Sequence, residues 1–319
     1  MDLKKAFINS AGRLRSGWRL LIFVLILVIL SLFFGAVTKG VFQLAVQFVP
    51  SRGVAHYLES LIFRIEFLIV ALLAGYICTR WLEGLPWRAL GLSFHARWVR
   101  DFFFGSLIGI ASLALAAAIA TVGGSLSFTI SSRAVVAQVG QTLVFTAALF
   151  ILAALAEEAL FRGYPLQTLT RANLAWLAVF LTSVPFAAIH LRNPNVAAGF
   201  TFINTALAGV WLAVAYLRTR SLWFPLGVHW AWNWALGSLF GLPVSGITDL
   251  APYPLLRGTD LGPAWLTGGN YGIEGGLACT VTLILSTVFI LKTRLVDATP
   301  EMKALTSQEN PAQLVGKAE

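Results

Sequence analysis

Residues 139–163 read VGQTLVFTAALFILAALAEEALFRG, and this stretch decides what kind of fold the chain can adopt. Its apolar run, 139–160, matches the roughly 20 residues that a helix needs to cross a bilayer core. The run ends in Glu157-Glu158, and Arg162 follows one turn later. Apolar stretches of similar length recur at 19–37, 61–79, 101–121, 174–190, 196–217, 221–240 and 273–291. None alternates apolar and polar residues as a membrane strand does. Helices are then the form that satisfies every backbone polar group in lipid.

Composition agrees. Of 319 residues, 58% are hydrophobic and 12% are charged, about half the charged share of a soluble domain. One soluble core cannot bury that much apolar surface, so the bilayer must act as solvent. The reading is an all-α, polytopic membrane helix bundle of about eight transmembrane helices. It forms a single transmembrane domain over 1–295, and a polar tail over 296–319 is expected to be disordered. The first apolar run follows Lys4, Lys5, Arg13, Arg15 and Arg19. It exceeds a signal-peptide core and lacks a small-x-small cleavage site, so it is expected to stay as an anchor.

With the N-terminus in the cytoplasm, 17 of the 23 Lys and Arg residues fall on the cytoplasmic side. This asymmetry predicts eight spans in the plasma membrane with both termini cytoplasmic. The net charge of +9 is accounted for by topology and anionic lipid, with membrane lipid as a partner and no nucleic acid. Cys78 and Cys279 are the only cysteines, too few for a disulfide framework or a CxxC metal site. The Gly/Pro-rich segment 241–272 is expected to be an external loop, and its composition assigns it no role.

Polar residues inside the spans are costly and need a reason. Glu157 and Glu158 are neighbours, so they diverge by about 100° around a helix. Glu158 and Arg162 stand at i,i+4, a spacing suited to an ion pair, which leaves Glu157 to point elsewhere. The three could equally cap a helix end at the headgroups. His190 closes the fifth run, and His229 lies in the seventh with Asn233 one turn later on the same face. A lone membrane histidine most often joins helices by hydrogen bonds. Depth adds to the case. With a turn near 170–173, Glu157, His190, His229 and Asn233 lie about 18, 24, 12 and 18 Å from the cytoplasmic side at 1.5 Å per residue. His56 and His95 are placed in loops and given no role. Arg64 and Glu66 in the second span do not face each other, so each is expected to have a partner on another helix unless Arg64 snorkels; Asn204 reads as an interhelical hydrogen bonder that could also line a cavity.

A carboxylate and an imidazole can together deprotonate and orient a water. A second histidine and an amide can donate to the oxyanion of a tetrahedral intermediate. Alternatively Glu157, His190 and His229 could hold Zn²⁺ with a position left open for water. Spacing alone does not separate these mechanisms.

Glu157-Glu158-x-x-x-Arg162, Phe186-x-x-x-His190 and His229-x-x-x-Asn233 resemble the three motifs of the Abi-like CAAX-protease and bacteriocin-processing (CPBP) family, in that family's order. The run Thr219-Arg220-Ser221-Leu222-Trp223 leading to Pro225 is similar to its approach to the last motif. The resemblance covers about 140–240. It implies an intramembrane endopeptidase acting on a plain or lipidated peptide or protein substrate. It also implies that Glu157 and His190 activate water and that His229 and Asn233 form the oxyanion site. Glu158 and Arg162 would support them. The family has been described both as metalloproteases and as metal-independent glutamate proteases. Asn is a poor Zn²⁺ ligand, which favours the form without a cofactor.

Other intramembrane protease classes fit worse. HExxH, Gly-x-Ser-Gly and GxGD patterns are absent, and Asp249 and Asp260 fall in the external segment. The rival readings are a non-enzymatic scaffold or immunity-type protein and, with no inverted repeat in sight, a transporter.

Overall fold

The computed structural model describes residues 6–9, 12–49, 52–196 and 199–306. Each apolar run becomes a helix, because a chain without water must close its hydrogen bonds internally. They are α1 (Ser16–Ala45), α2 (Arg52–Leu82), α3 (Trp98–Val122), α4 (Val136–Glu158) extended by α5 (Tyr164–Arg171), α6 (Ala175–His190), α7 (Phe200–Thr219), α8 (Trp223–Trp234) and α9 (Leu277–Lys292). A short α10 (Pro300–Thr306) closes the described chain. Among the described residues five helices have the length and apolarity to cross a membrane, the one over Arg133–Arg171 including both α4 and α5. The multi-pass membrane architecture therefore stands. The other three apolar helices, α6, α8 and α9, are shorter than the expected spans. The last starts at Leu277 rather than near 273, since Gly275 and Gly276 belong to the preceding loop.

The chain divides into two compact units built from non-contiguous segments. One unit comprises 1–93, 152–178 and 300–319, and the other 94–151 and 179–299.

In the first unit α1 is apolar almost all round. Only 6% of its most apolar window is buried by protein, so lipid must cover the rest. Arg19 is the exception, 1% exposed, with Nη1 3.3 Å from Glu83 Oε1. Arg171 pairs with the same carboxylate, and Thr168 donates to it. One anion just past the end of α2 thus ties together the start of α1 and the whole of α5. Removing Glu83 would take the carboxylate partner from two buried guanidinium groups. The polar tail is not disordered throughout. α10 buries Met302 and Thr306, which share a face at i,i+4. Glu301 accepts from Ser93 Oγ at 2.8 Å and pairs with Arg88. The expectation over 307–319 lies outside the described residues.

In the second unit α3 and α8 press backbone against backbone. A Cβ added to Gly227 would lie 2.1 Å from the Phe102 carbonyl oxygen. One on Gly105 or Gly109 would lie 2.3 Å from the carbonyl oxygens of Phe224 or Val228. Gly105 and Gly109 form a small-xxx-small pair, the pattern that lets membrane helices approach closely. α7 and α9 join through Asn204, whose Nδ2 donates to the Gly276 carbonyl at 2.8 Å and whose Oδ1 accepts from Thr280 at 2.6 Å. The interhelical role expected of Asn204 is borne out. Cys78 and Cys279 are both free and buried. Outside the helices, β1 (Leu126–Ile130) and β2 (Leu256–Asp260) pair antiparallel, Leu126 opposite Asp260, and give the segment 241–272 an ordered edge.

Gly227→Ala is expected to cost about 1–3 kcal/mol, because the helices must separate to admit the methyl group. Gly140→Ala in α4, whose Cβ meets nothing within 4 Å, should be neutral or stabilising by up to about 1 kcal/mol. Thermal unfolding in detergent checks both.

Candidate active site

α4 does not end at Glu158. A single π turn over Ala159–Gly163 carries it into α5, where Pro165 follows Tyr164. Proline has no N–H to offer the preceding turn and crowds its carbonyl. One wider turn absorbs the mismatch, and π turns of this kind gather at functional sites. The turn keeps Glu158 and Arg162 together, with Nη1 to Oε1 3.0 Å and both side chains wholly buried. The expected i,i+4 ion pair is thus present. Glu157, on the neighbouring face, is half-buried. Arg64 of α2 lies in the same unit within Coulombic reach of Glu157, and its Nη1 donates to the Ser60 carbonyl at 3.1 Å. This accounts for a charge that the sequence left unassigned. Glu66 lies against Gly35 of α1, where an added Cβ would be 3.5 Å from Glu66 Oε1.

The second unit holds the imidazoles. His190 closes α6, a helix with Pro185 inside it. Its Nδ1 lies 2.6 Å from the Phe186 carbonyl. That geometry assigns the proton to Nδ1 as donor and leaves Nε2 for chemistry. The Phe186 ring touches both histidines, with centroids 4.6 Å from His190 and 6.1 Å from His229. Asn233 follows His229 by one turn on α8 and is half-buried. The structure therefore gathers Glu157, Glu158 and Arg162 in one unit, and His190, His229 and Asn233 in the other.

Three indoles set the rotation of α8 about its axis. Trp230 Nε1 donates to the Ala147 carbonyl at 2.9 Å, and Trp234 Nε1 donates to the Leu143 carbonyl at 3.0 Å. Trp232 Nε1 donates to Glu274 Oε1 at 2.9 Å. Because these bonds are spread around the helix, the face carrying His229 and Asn233 cannot turn. The turn before α8 is held as well. Arg220 adopts a left-handed conformation, φ 54°, and His95 Nε2 lies 3.0 Å from Ser221 Oγ. His95, placed in a loop and given no role, is a buried brace at the start of α8. His56 falls within α2 rather than in a loop.

Glu274 is the residue that sequence reasoning missed. It sits in a turn between the external segment and α9, outside the membrane-spanning helices. Burial pushes its carboxyl above the usual range. The Ser245 N–H, the Trp232 indole and the charge of His190 oppose that rise. Three donors on two oxygens suit a carboxylate better than a protonated acid. Among the described residues no three His, Cys, Asp or Glu side chains are grouped to hold a metal ion.

Residues 139–235 match the family model for type II CAAX prenyl endopeptidases, the Rce1-like proteins. The match covers less than a third of the chain and takes in Glu157, Glu158, Arg162, His190, His229 and Asn233. The resemblance read over 140–240 is thereby borne out. Over 95 residues the chain is 36% identical to an Escherichia coli protein named "Uncharacterized 24.3 kDa protein". The aligned part is 29% of this chain and spans 42% of that relative's length. No solved structure matches. The Rce1-like segment stops at Ala235, so Glu274 lies outside it.

Within the Rce1-like segment, Glu158→Ala or Arg162→Ala alone is expected to cost about 3–5 kcal/mol by leaving one buried charge uncompensated. Replacing both residues together by Leu and Met should cost less than either single change. A double-mutant cycle of thermal stability measures the difference.

Proposed function

We propose that the chain is an intramembrane endopeptidase that hydrolyses a peptide bond of a membrane-associated or lipidated peptide. The observation that carries this reading is that the Rce1-like match over 139–235 takes in the three motif pairs, Glu157-Glu158 with Arg162, Phe186 with His190 and His229 with Asn233. Glu157 acts as general base on a water, with His190 taking part through its Nε2. As the water oxygen attacks the scissile carbonyl, negative charge moves onto the carbonyl oxygen. His229 and the Asn233 amide donate to that oxyanion, and such donors strengthen as the charge grows. Collapse of the intermediate expels the amine, which takes a proton from the same acid–base pair. Glu158 and Arg162 act by holding the turn beside Glu157. The reaction needs no metal, and the chain lies in the plasma membrane with both termini in the cytoplasm.

The scaffold reading draws on one observation, the wholly buried Glu158–Arg162 pair, which holds the turn between α4 and α5 whether or not catalysis occurs. An assay separates the two. Wild type and Glu157→Ala are purified and offered fluorogenic lipidated and plain peptides, with and without chelator. Wild type is expected to cleave in the presence of chelator and Glu157→Ala to be inactive with unchanged thermal stability. Asn233→Ala should lower kcat by about 10²–10³-fold, the usual loss for one oxyanion donor. Equal cleavage by wild type and Glu157→Ala would remove Glu157 from the mechanism and favour the scaffold.

A further inference from the structure

The external segment 241–276 is tied to the helices that carry the two histidines. Asn193, three residues beyond His190, donates through Nδ2 to the Ser245 carbonyl at 3.1 Å. Asn195 donates to the Gly246 carbonyl at 2.9 Å. The Gly246 N–H in turn donates to the Tyr271 carbonyl at 3.0 Å. Gly246 has φ +83°, and a Cβ there would lie 2.0 Å from the Pro194 carbonyl oxygen. Only glycine admits that approach. The chain after α6 and the chain before α9 are thereby stapled together.

Glu274 stands at the centre of the staple. Its Oε2 accepts from the Ser245 N–H at 2.5 Å and from Ser245 Oγ at 3.3 Å. Its Oε1 accepts from Trp232, which adjoins Asn233 and lies three residues after His229. Its own carbonyl accepts from Asn204 Nδ2 of α7 at 2.9 Å. The titratable groups within electrostatic reach of this carboxylate are His190 at the end of α6, Tyr271 in the same loop and Cys279 of α9. His229 of α8 reaches the group through the shared Phe186 ring, and Arg192 follows His190 in the turn.

We propose that Glu274 is a positioning residue for the histidines: through Trp232 it holds the α8 face that carries His229 and Asn233, and through Ser245, which Asn193 also binds, it holds the end of α6 that carries His190. A carboxylate behind a catalytic imidazole fixes ring orientation and favours the proton position that leaves the other nitrogen free. Here the Phe186 carbonyl accepts from the Nδ1 N–H, and Glu274 fixes the turn after His190 through Ser245. The role rests on the endopeptidase reading. It also places a required residue outside the Rce1-like segment, on a loop that composition alone leaves blank.

The test uses the full chain in detergent with Glu274→Gln, Glu274→Asp and Trp232→Phe. Two readouts are taken, peptide cleavage and the ring nitrogen resonances of ¹⁵N-histidine, where His190→Gln assigns one of only four histidines. Glu274→Gln keeps the size and one acceptor oxygen. It is expected to lower kcat at least tenfold with KM within about twofold, because a lost positioning contact acts on the transition state rather than on ground-state binding. Glu274→Asp should recover part of that loss, and Trp232→Phe should lower kcat in the same way. In Glu274→Gln the His190 resonances should move while those of His56 and His95 stay in place. Unmoved His190 resonances in a folded Glu274→Gln protein would overturn the proposal. Lowered thermal stability with unchanged kcat per folded molecule would overturn it as well. Absence of cleavage by wild type would instead strike the endopeptidase reading, and the resonances would still judge Glu274.

Discussion

The approach of α3 to α8 at Gly105, Gly109 and Gly227 is the constraint on which the second unit depends. In lipid no hydrophobic drive pushes apolar helices together, so association rests on close packing and on hydrogen bonds. Three missing methyl groups let carbonyl oxygens meet Cα atoms directly, where weak C–H···O contacts add to dispersion. With its translation fixed at these glycines, α8 is fixed in rotation by the indoles of Trp230, Trp232 and Trp234. His229 and Asn233 inherit their direction from that frame. Catalytic groups need placement to within a fraction of an ångström, and helices fixed by backbone contact supply it better than loops do.

Charge is handled by the same logic in both units. Each buried ion has a partner within the protein, because an uncompensated charge in a low dielectric costs several kcal/mol. Glu83 serves two arginines, Glu158 serves Arg162, and Arg64 stands near Glu157. The half-buried groups form a different set: Glu157, His190 and Asn233 are not sealed in as Glu158 and Arg162 are. Buried pairs hold structure, and partly open polar groups can meet a substrate and a water.

Much of this was legible in the sequence. Hydropathy marks every long helix, because spanning the bilayer core demands about twenty apolar residues in a row. The Glu158–Arg162 pair was legible from helical spacing, and the resemblance over 140–240 located the residues that the Rce1-like match contains. Lengths were less legible. α8 gives way to a π turn over Ala235–Leu239, and α9 starts late because ordered loop takes Gly275 and Gly276, neither of which an apolar window registers. Glu274 was hidden for a related reason. A glutamate in a Gly-rich loop looks solvated until the loop folds, and only the folded loop brings Trp232 and Ser245 to it. The division into two units was hidden too, since both are assembled from segments far apart in sequence. The short β1–β2 ribbon and α10 lie in polar stretches where composition gives no warning of order.

The most direct measurement of the central claim is the fate of water oxygen in the product. Wild type and Glu157→Gln in proteoliposomes are incubated with lipidated peptides in H₂¹⁸O, and the fragments are weighed by mass spectrometry. The account predicts that wild type yields two fragments with one ¹⁸O in the new carboxyl group, and that folded Glu157→Gln yields none. Equal labelled cleavage by both proteins would contradict it.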